Sequence, residues 1–200
     1  MAARIPAGAT ARQAKRPVGE MAARRTIRGA RPLLQTSRLL PRLAALAPSM
    51  ADAVQSMGGW LFDQAMVGLD TAVLTAEQSD ERAALILGAR ARDLAAELAE
   101  PLPRPWFQSI AVHGAVYERD PRVRRAVRSA LRGRSAEVMF CGPLPDEFAA
   151  AAKPVWYQLS IAARAFKAHA LAALPAQAIL AASGPAGFDQ AVEVFSRVSV

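Results

Sequence analysis

The stretch DPRVRRAVRSALRGRSAEVMFC, residues 120–141, reads as a complete helix–turn–strand unit. Asp120 is placed to accept from the first free backbone N–H groups of a helix, and Pro121 suits the first turn, where no N–H is needed. Val123, Ala126, Val127, Ala130 and Leu131 recur at helical spacing, so one face is buried. Gly133 ends the helix, and Glu137–Cys141 follows as an apolar strand.

Working outward, the same alternation recurs. Ser49 and Asp52 form a capping pair ahead of an amphipathic helix marked by Met50, Val54, Met57, Leu61 and Ala65, which stops near Gly68. Thr71–Thr75 reads as a buried strand, and Glu77–Glu81 as a polar turn. Arg82–Ala99 reads as mostly helical, and the prolines at 101, 103 and 105 end it. Ser109–Tyr117 alternates as a strand. The spacing from Val155 to Leu174 predicts a long helix after Pro154, then a short strand over Ala176–Ala181 and a closing helix over Phe188–Val198. Trp60, Trp106 and Trp156 are expected in the core. Strands alternating with helices predict a three-layer α/β domain around a mainly parallel sheet. The expected organisation is a basic Pro/Arg-rich arm over 1–48, flexible or docked, and a single domain over 49–200. Met21 is an alternative start.

Charge is unevenly spread. The net charge is +8, yet residues 1–49 hold ten Lys/Arg against Glu20 alone, and residues 118–134 hold seven Arg against two acids. The rest of the chain is acidic. Arg outnumbering Lys, with Asn absent, looks like GC-rich bacterial coding. A single cysteine excludes an internal disulfide and points to a reducing, cytoplasmic setting. No apolar run is long enough for a membrane span.

Motifs for chemistry are sparse. No Lys lies between Lys15 and Lys153, so no phosphate loop of the Gly-rich, Lys-Ser/Thr kind is present. Two histidines and one cysteine, far apart, give no metal site, and no cofactor is expected. Cys141 reads as a buried thiol that could meet His113 across the sheet. Glu77 reads as a solvated turn residue.

Two stretches carry a family resemblance. The helix ending at Gly68, strand Thr71–Thr75, Ala76-Glu77 and Leu87-Gly88 resemble the part of the RecA recombinase core just beyond its P-loop. Arg122–Gly142 resembles that fold's unit leading to the Walker B strand, although Cys141-Gly142 stands where an Asp should. The resemblance implies a degenerate, non-hydrolysing relative with Glu77 at the water-activating position.

The function expected from the sequence is therefore a non-catalytic nucleic-acid-associated factor, in DNA repair or recombination. Arg122, Arg124, Arg125, Arg128, Arg132 and Arg134 of the helix, and Arg24, Arg25, Arg28 and Arg31 of the arm, would contact phosphates. The alternative is a protein–protein adaptor. Leu39, Leu40 and Leu43 would then dock on a partner and the arginines on its acidic surface. A small enzyme using Cys141 and His113 is the third reading.

Overall fold

The computed structural model describes residues 42–77, 81–99, 107–182 and 191–199. Among the described residues, seven strands form one sheet: β1 (Arg42–Ala47), β2 (Asp70–Thr75), β3 (Arg90–Asp93), β4 (Ser109–His113), β5 (Glu137–Cys141), β6 (Ala152–Gln158) and β7 (Val192–Val198). Their order is β3-β2-β1-β4-β5-β7-β6. The first five are parallel, and β7 runs antiparallel between β5 and β6. The helices are α1 (Met50–Met66), α2 (Glu81–Ile86), α3 (Leu94–Glu97), α4 (Gly114–Arg119), α5 (Pro121–Arg132), α6 (Ile161–Ala172) and α7 (Ala176–Ala181).

β1 shows why there are three layers. Leu43, Ala45 and Ala47 point to one face, where α1, α2 and α6 close the core. Ala44 and Leu46 point to the other, against the apolar stripe of α5. All five residues from Leu43 to Ala47 are fully buried, as a strand covered on both faces requires. The expected α/β class with a mainly parallel sheet is what the molecule has.

Several elements differ from the sequence reading. β1 begins at Arg42, inside the stretch read as an arm, so Leu43 is core and not available to a partner. Leu39 and Leu40 lie outside the described residues, as do Arg24, Arg25, Arg28 and Arg31. Arg82–Ala99 is α2, β3 and α3 and not one helix, with Gly88 breaking it at φ +71°. β4 stops at His113, where α4 begins. The first turn of the helix expected after Pro154 is instead part of β6. Ala176–Ala181 is helical, and the closing segment is β7. Trp60 is buried, Trp106 lies outside the described residues, and Trp156 is 70% exposed on edge strand β6, so it does not pack the core. Among the described residues, no helix is long and apolar enough to cross a membrane.

Candidate functional site

In the parallel part of the sheet, the chain moves outward from β1 through β2 to β3, then returns to the other side of β1 as β4. The carboxyl ends of β1 and β4 therefore flank the point where strand order reverses, the usual ligand crevice of open α/β sheets. A cavity of about 470 Å³ opens here, lined by Pro48, Ala76, Glu77, Val116, Arg119, Asp120, Pro121 and Arg122.

Local geometry fixes its walls. After β1, Ser49 caps α1: its hydroxyl accepts from the Asp52 N–H at 3.2 Å and donates to the Asp52 carboxylate at 2.6 Å. After β2, the Glu77 N–H donates to the Pro48 carbonyl at 3.2 Å, and the Thr75 hydroxyl donates to the Glu77 carbonyl at 3.0 Å. The backbone of Glu77 is thus held while its side chain is exposed. After β4, Asp120 caps α5 by accepting from the Arg122 N–H at 2.8 Å. The same carboxylate accepts from the Arg122 guanidinium, at 2.8 Å from Nη2 and 3.1 Å from Nε. That guanidinium bond is the main reason the Asp120 carboxyl lies below its ordinary value.

At the carboxyl ends of β4 and β5, His113 and Cys141 are register partners. His113 is fully buried. Its Nδ1 accepts from the Ala115 N–H at 3.3 Å, which assigns the proton to Nε2, and Nε2 has no hydrogen-bond partner. Burial pulls its pKa below the usual histidine value; the Asp52 charge opposes this and the Arg119 charge adds to it. The imidazole is neutral near pH 7. Gly142, at φ +69°, passes so close that a Cβ there would lie 2.8 Å from Nε2. Gly114 meets the Pro143 carbonyl in the same way. The β5 loop thus packs directly over the His113 imidazole.

Cys141 is buried beside the Ser56 hydroxyl at 3.6 Å, and burial pushes its thiol up to about 12. A buried thiol raised in this way lacks the thiolate character that a nucleophilic cysteine needs. Among the described residues, no three His, Cys, Asp or Glu side chains are grouped as a metal ion requires.

The Arg helix is a solvated face partly matched by the protein's own acids. Arg122 pairs with Asp120, and Arg128 pairs with Glu147 at 2.8 Å. The Tyr117 hydroxyl adds a bond to Glu147 at 2.7 Å. Arg125, Arg132 and Arg134 are exposed and Arg124 is half-buried. The crevice-lining role of Arg119, and the buried Asp52 beside His113, were not anticipated. In the sequence Asp52 shows only as a cap; its place at a strand end follows from β1, which has no local signal.

No family model matches the sequence, and no curated protein matches it. Solved structures do match. A triple mutant of a deacetylase from the teicoplanin biosynthetic pathway is 16% identical, with 78% of this chain and 97% of that one covered and a TM-score of 0.53. A deacetylase–teicoplanin complex from that pathway is 13% identical, covering 79% of this chain and 98% of that one, also at 0.53. At such identities the likeness is one of fold. It overturns the RecA-like resemblance: the structural neighbours are deacetylases and not recombinases. The DNA-binding and DNA-repair reading, and with it the non-catalytic nucleic-acid factor, is overturned by the same neighbours; the adaptor reading rests on separate residues, of which Leu43 is core. The matched segments, a helix followed by a strand, are common to many α/β folds.

Proposed function

We propose that this chain carries a deacetylase-type small-molecule site: the crevice at the ends of β1, β2 and β4 takes an acylated amine, and the reaction is hydrolysis of its amide. The observation that supports this reading is fold likeness over 97% of a deacetylase chain, with a cavity at the strand-order reversal. In the reaction, water adds its oxygen to the acyl carbon and the C–N bond breaks. The nitrogen leaves with both of water's protons, giving a carboxylate and an ammonium. The groups suited to handling protons at the ends of β1 and β4 are Asp52, just after β1, and the Nε2–H of His113, both buried outside the cavity lining. A reducing, cytoplasmic setting belongs to the same reading, supported by the free buried Cys141.

The test is acetate release, followed by proton NMR, from a panel of N-acetylated amino sugars and N-acyl glycopeptides. Turnover that Asp52→Asn and His113→Gln each reduce by about a hundredfold, within the usual worth of general acid–base help, supports the reading. Release of no acetate from any of them overturns hydrolysis.

Two observations favour a second reading, ligand binding without turnover. His113 is sealed under Gly142 and Pro143, and among the described residues no side-chain group could hold a hydrolytic metal ion. Saturable binding of the same amides with no acetate release would establish it.

A further inference from the structure

The walls of the crevice carry opposite charges on its two sides, uncompensated among the described residues. Glu77 follows β2, and Arg119 closes α4 just beyond β4, so the two flank the end of β1. Both are exposed and line the cavity. Neither forms an ion pair with another described residue. The other two charges, Asp120 and Arg122, neutralise each other through their guanidinium–carboxylate bonds. Asp120 also occupies the first N–H groups of α5, so that helix end offers an anion nothing further. Between the charged positions, Pro48, Ala76, Val116 and Pro121 supply apolar wall.

We propose that the ligand of this crevice is a small molecule with an acidic group, carboxylate or phosphate, held by Arg119, and an amine or its acylated form turned toward Glu77. The inference rests on the crevice being the ligand site and adds the chemical class of the ligand. A guanidinium and a phosphate or carboxylate make paired, charge-assisted bonds, stronger than neutral ones and strengthened beside an apolar wall. Glu77 gives the other end of the ligand its direction. An ammonium is attracted to it, an amide N–H can donate to it, and a second anionic group is repelled. Read with the proposed hydrolysis, the same carboxylate accepts the N–H of the substrate and the ammonium of the product. Arg119 grips both through the group that does not react.

Binding can be tested without any turnover, which keeps this inference separable from the deacetylase reading. The probes are glucosamine 6-phosphate, N-acetylglucosamine 6-phosphate, glucosamine and glucose 6-phosphate, titrated calorimetrically into the full chain at low salt. The expected order places both phosphorylated amino sugars about tenfold tighter than glucosamine, the worth of one charge-assisted pair. Arg119→Gln removes that advantage. Glu77→Gln removes the preference of glucosamine 6-phosphate over glucose 6-phosphate, and Arg125→Gln, away from the cavity, changes neither. Arg119→Lys retains part of the phosphate advantage, which distinguishes loss of a contact from loss of fold. Equal binding of glucosamine and its phosphate overturns the inference, as does an unchanged affinity in Arg119→Gln. So does the lack of saturable binding of either phosphorylated amino sugar at roughly millimolar concentration, the affinity a few polar contacts supply. Acetate release in the presence or absence of these effects reports on the hydrolysis reading alone.

Discussion

Gly114 and His113 sit where β4 gives way to α4, and the chain leaves no room for a side chain between them and the β5 loop. A Cβ on Gly114 would lie 1.5 Å from the Pro143 carbonyl oxygen, a backbone atom with no rotamer to yield. Gly114→Ala must therefore displace the 142–145 loop. The expected cost is about 1–3 kcal/mol or more, as for other overpacked sites, readable as a lowered urea midpoint. The loop it displaces is the one that shields His113, so the imidazole of the variant becomes accessible to diethyl pyrocarbonate, while that of the parent stays protected. His113 also imposes a pH dependence. Its folded pKa lies below the usual 6.5 because burial penalises the imidazolium. Between 6.5 and that lower value the unfolded chain holds the proton and the folded one does not. Stability is therefore full above 6.5 and falls as pH drops through this window. His113→Gln has a flatter stability–pH profile across that window than the parent. A parallel profile would show that the buried imidazole contributes no linkage. His113 was legible as a residue of an apolar strand opposite Cys141. Its unpartnered Nε2 was not, because that depends on a glycine 29 positions away along the chain.

At the level of elements, α1 depends on the far end of the chain. Gly59 and Trp60 donate their backbone N–H groups, at 3.0 and 2.9 Å, to the two carboxylate oxygens of Glu193 on β7. The Gln55 carbonyl, which an unbroken helix would bond to Gly59, accepts instead from Lys167 Nζ at 2.7 Å. Lys167 on α6 completes the exchange with a 2.7 Å ion pair to Glu193, both side chains being buried. Burial pushes the Glu193 carboxyl up, and the lysine and two backbone donors oppose it. A Cβ on Gly59 would lie 2.6 Å from the Leu159 side chain, so any larger residue here requires Leu159 to move. Removing one partner strands a buried charge, so Lys167→Met should cost about 3–5 kcal/mol in chemical denaturation. Adding Glu193→Gln removes the stranded charge and recovers part of that loss; a double variant no more stable than Lys167→Met would refute the pairing as the source. The whole of α5 and β5 was visible in the sequence, because its caps, stripe and stop agree with one another. β7 was not: Phe188–Val198 has apolar residues that satisfy helical spacing, and nothing local shows that Glu193 is to be buried. β6 contains Pro154, which reads as a helix start. An edge strand accommodates proline, because one row of its N–H groups has no ladder partner. β1 was hidden for a different reason. Its alanines and leucines are weak strand formers, and burial on both faces removes the alternation that marks a half-exposed strand.

For the whole molecule, the consequence of recognising β1 is that the charged segments change meaning. Once Arg42–Ala47 is the central strand, the residues following it and following β2 and β4 converge on one edge of the sheet. The candidate site comes from that convergence and from no contiguous motif, which is why the chain yields its α/β class readily and its site poorly. The sheet also defines what should fold together. Leu43 to Ala47 anchor the cores on both faces, while β7, through Glu193, ties the last strand to the first helix. Every described element begins at Arg42 or later. A chain beginning at residue 36 should therefore unfold in one cooperative transition, with circular dichroism and tryptophan fluorescence coinciding. A chain beginning at residue 49, the boundary suggested by charge alone, lacks β1, so β2 and β4 lose the strand that both pair with. That version should show no cooperative transition at all. A cooperative, native-like transition in the shorter chain would mean that β1 is dispensable, and with it the strand-order reversal on which the crevice is built.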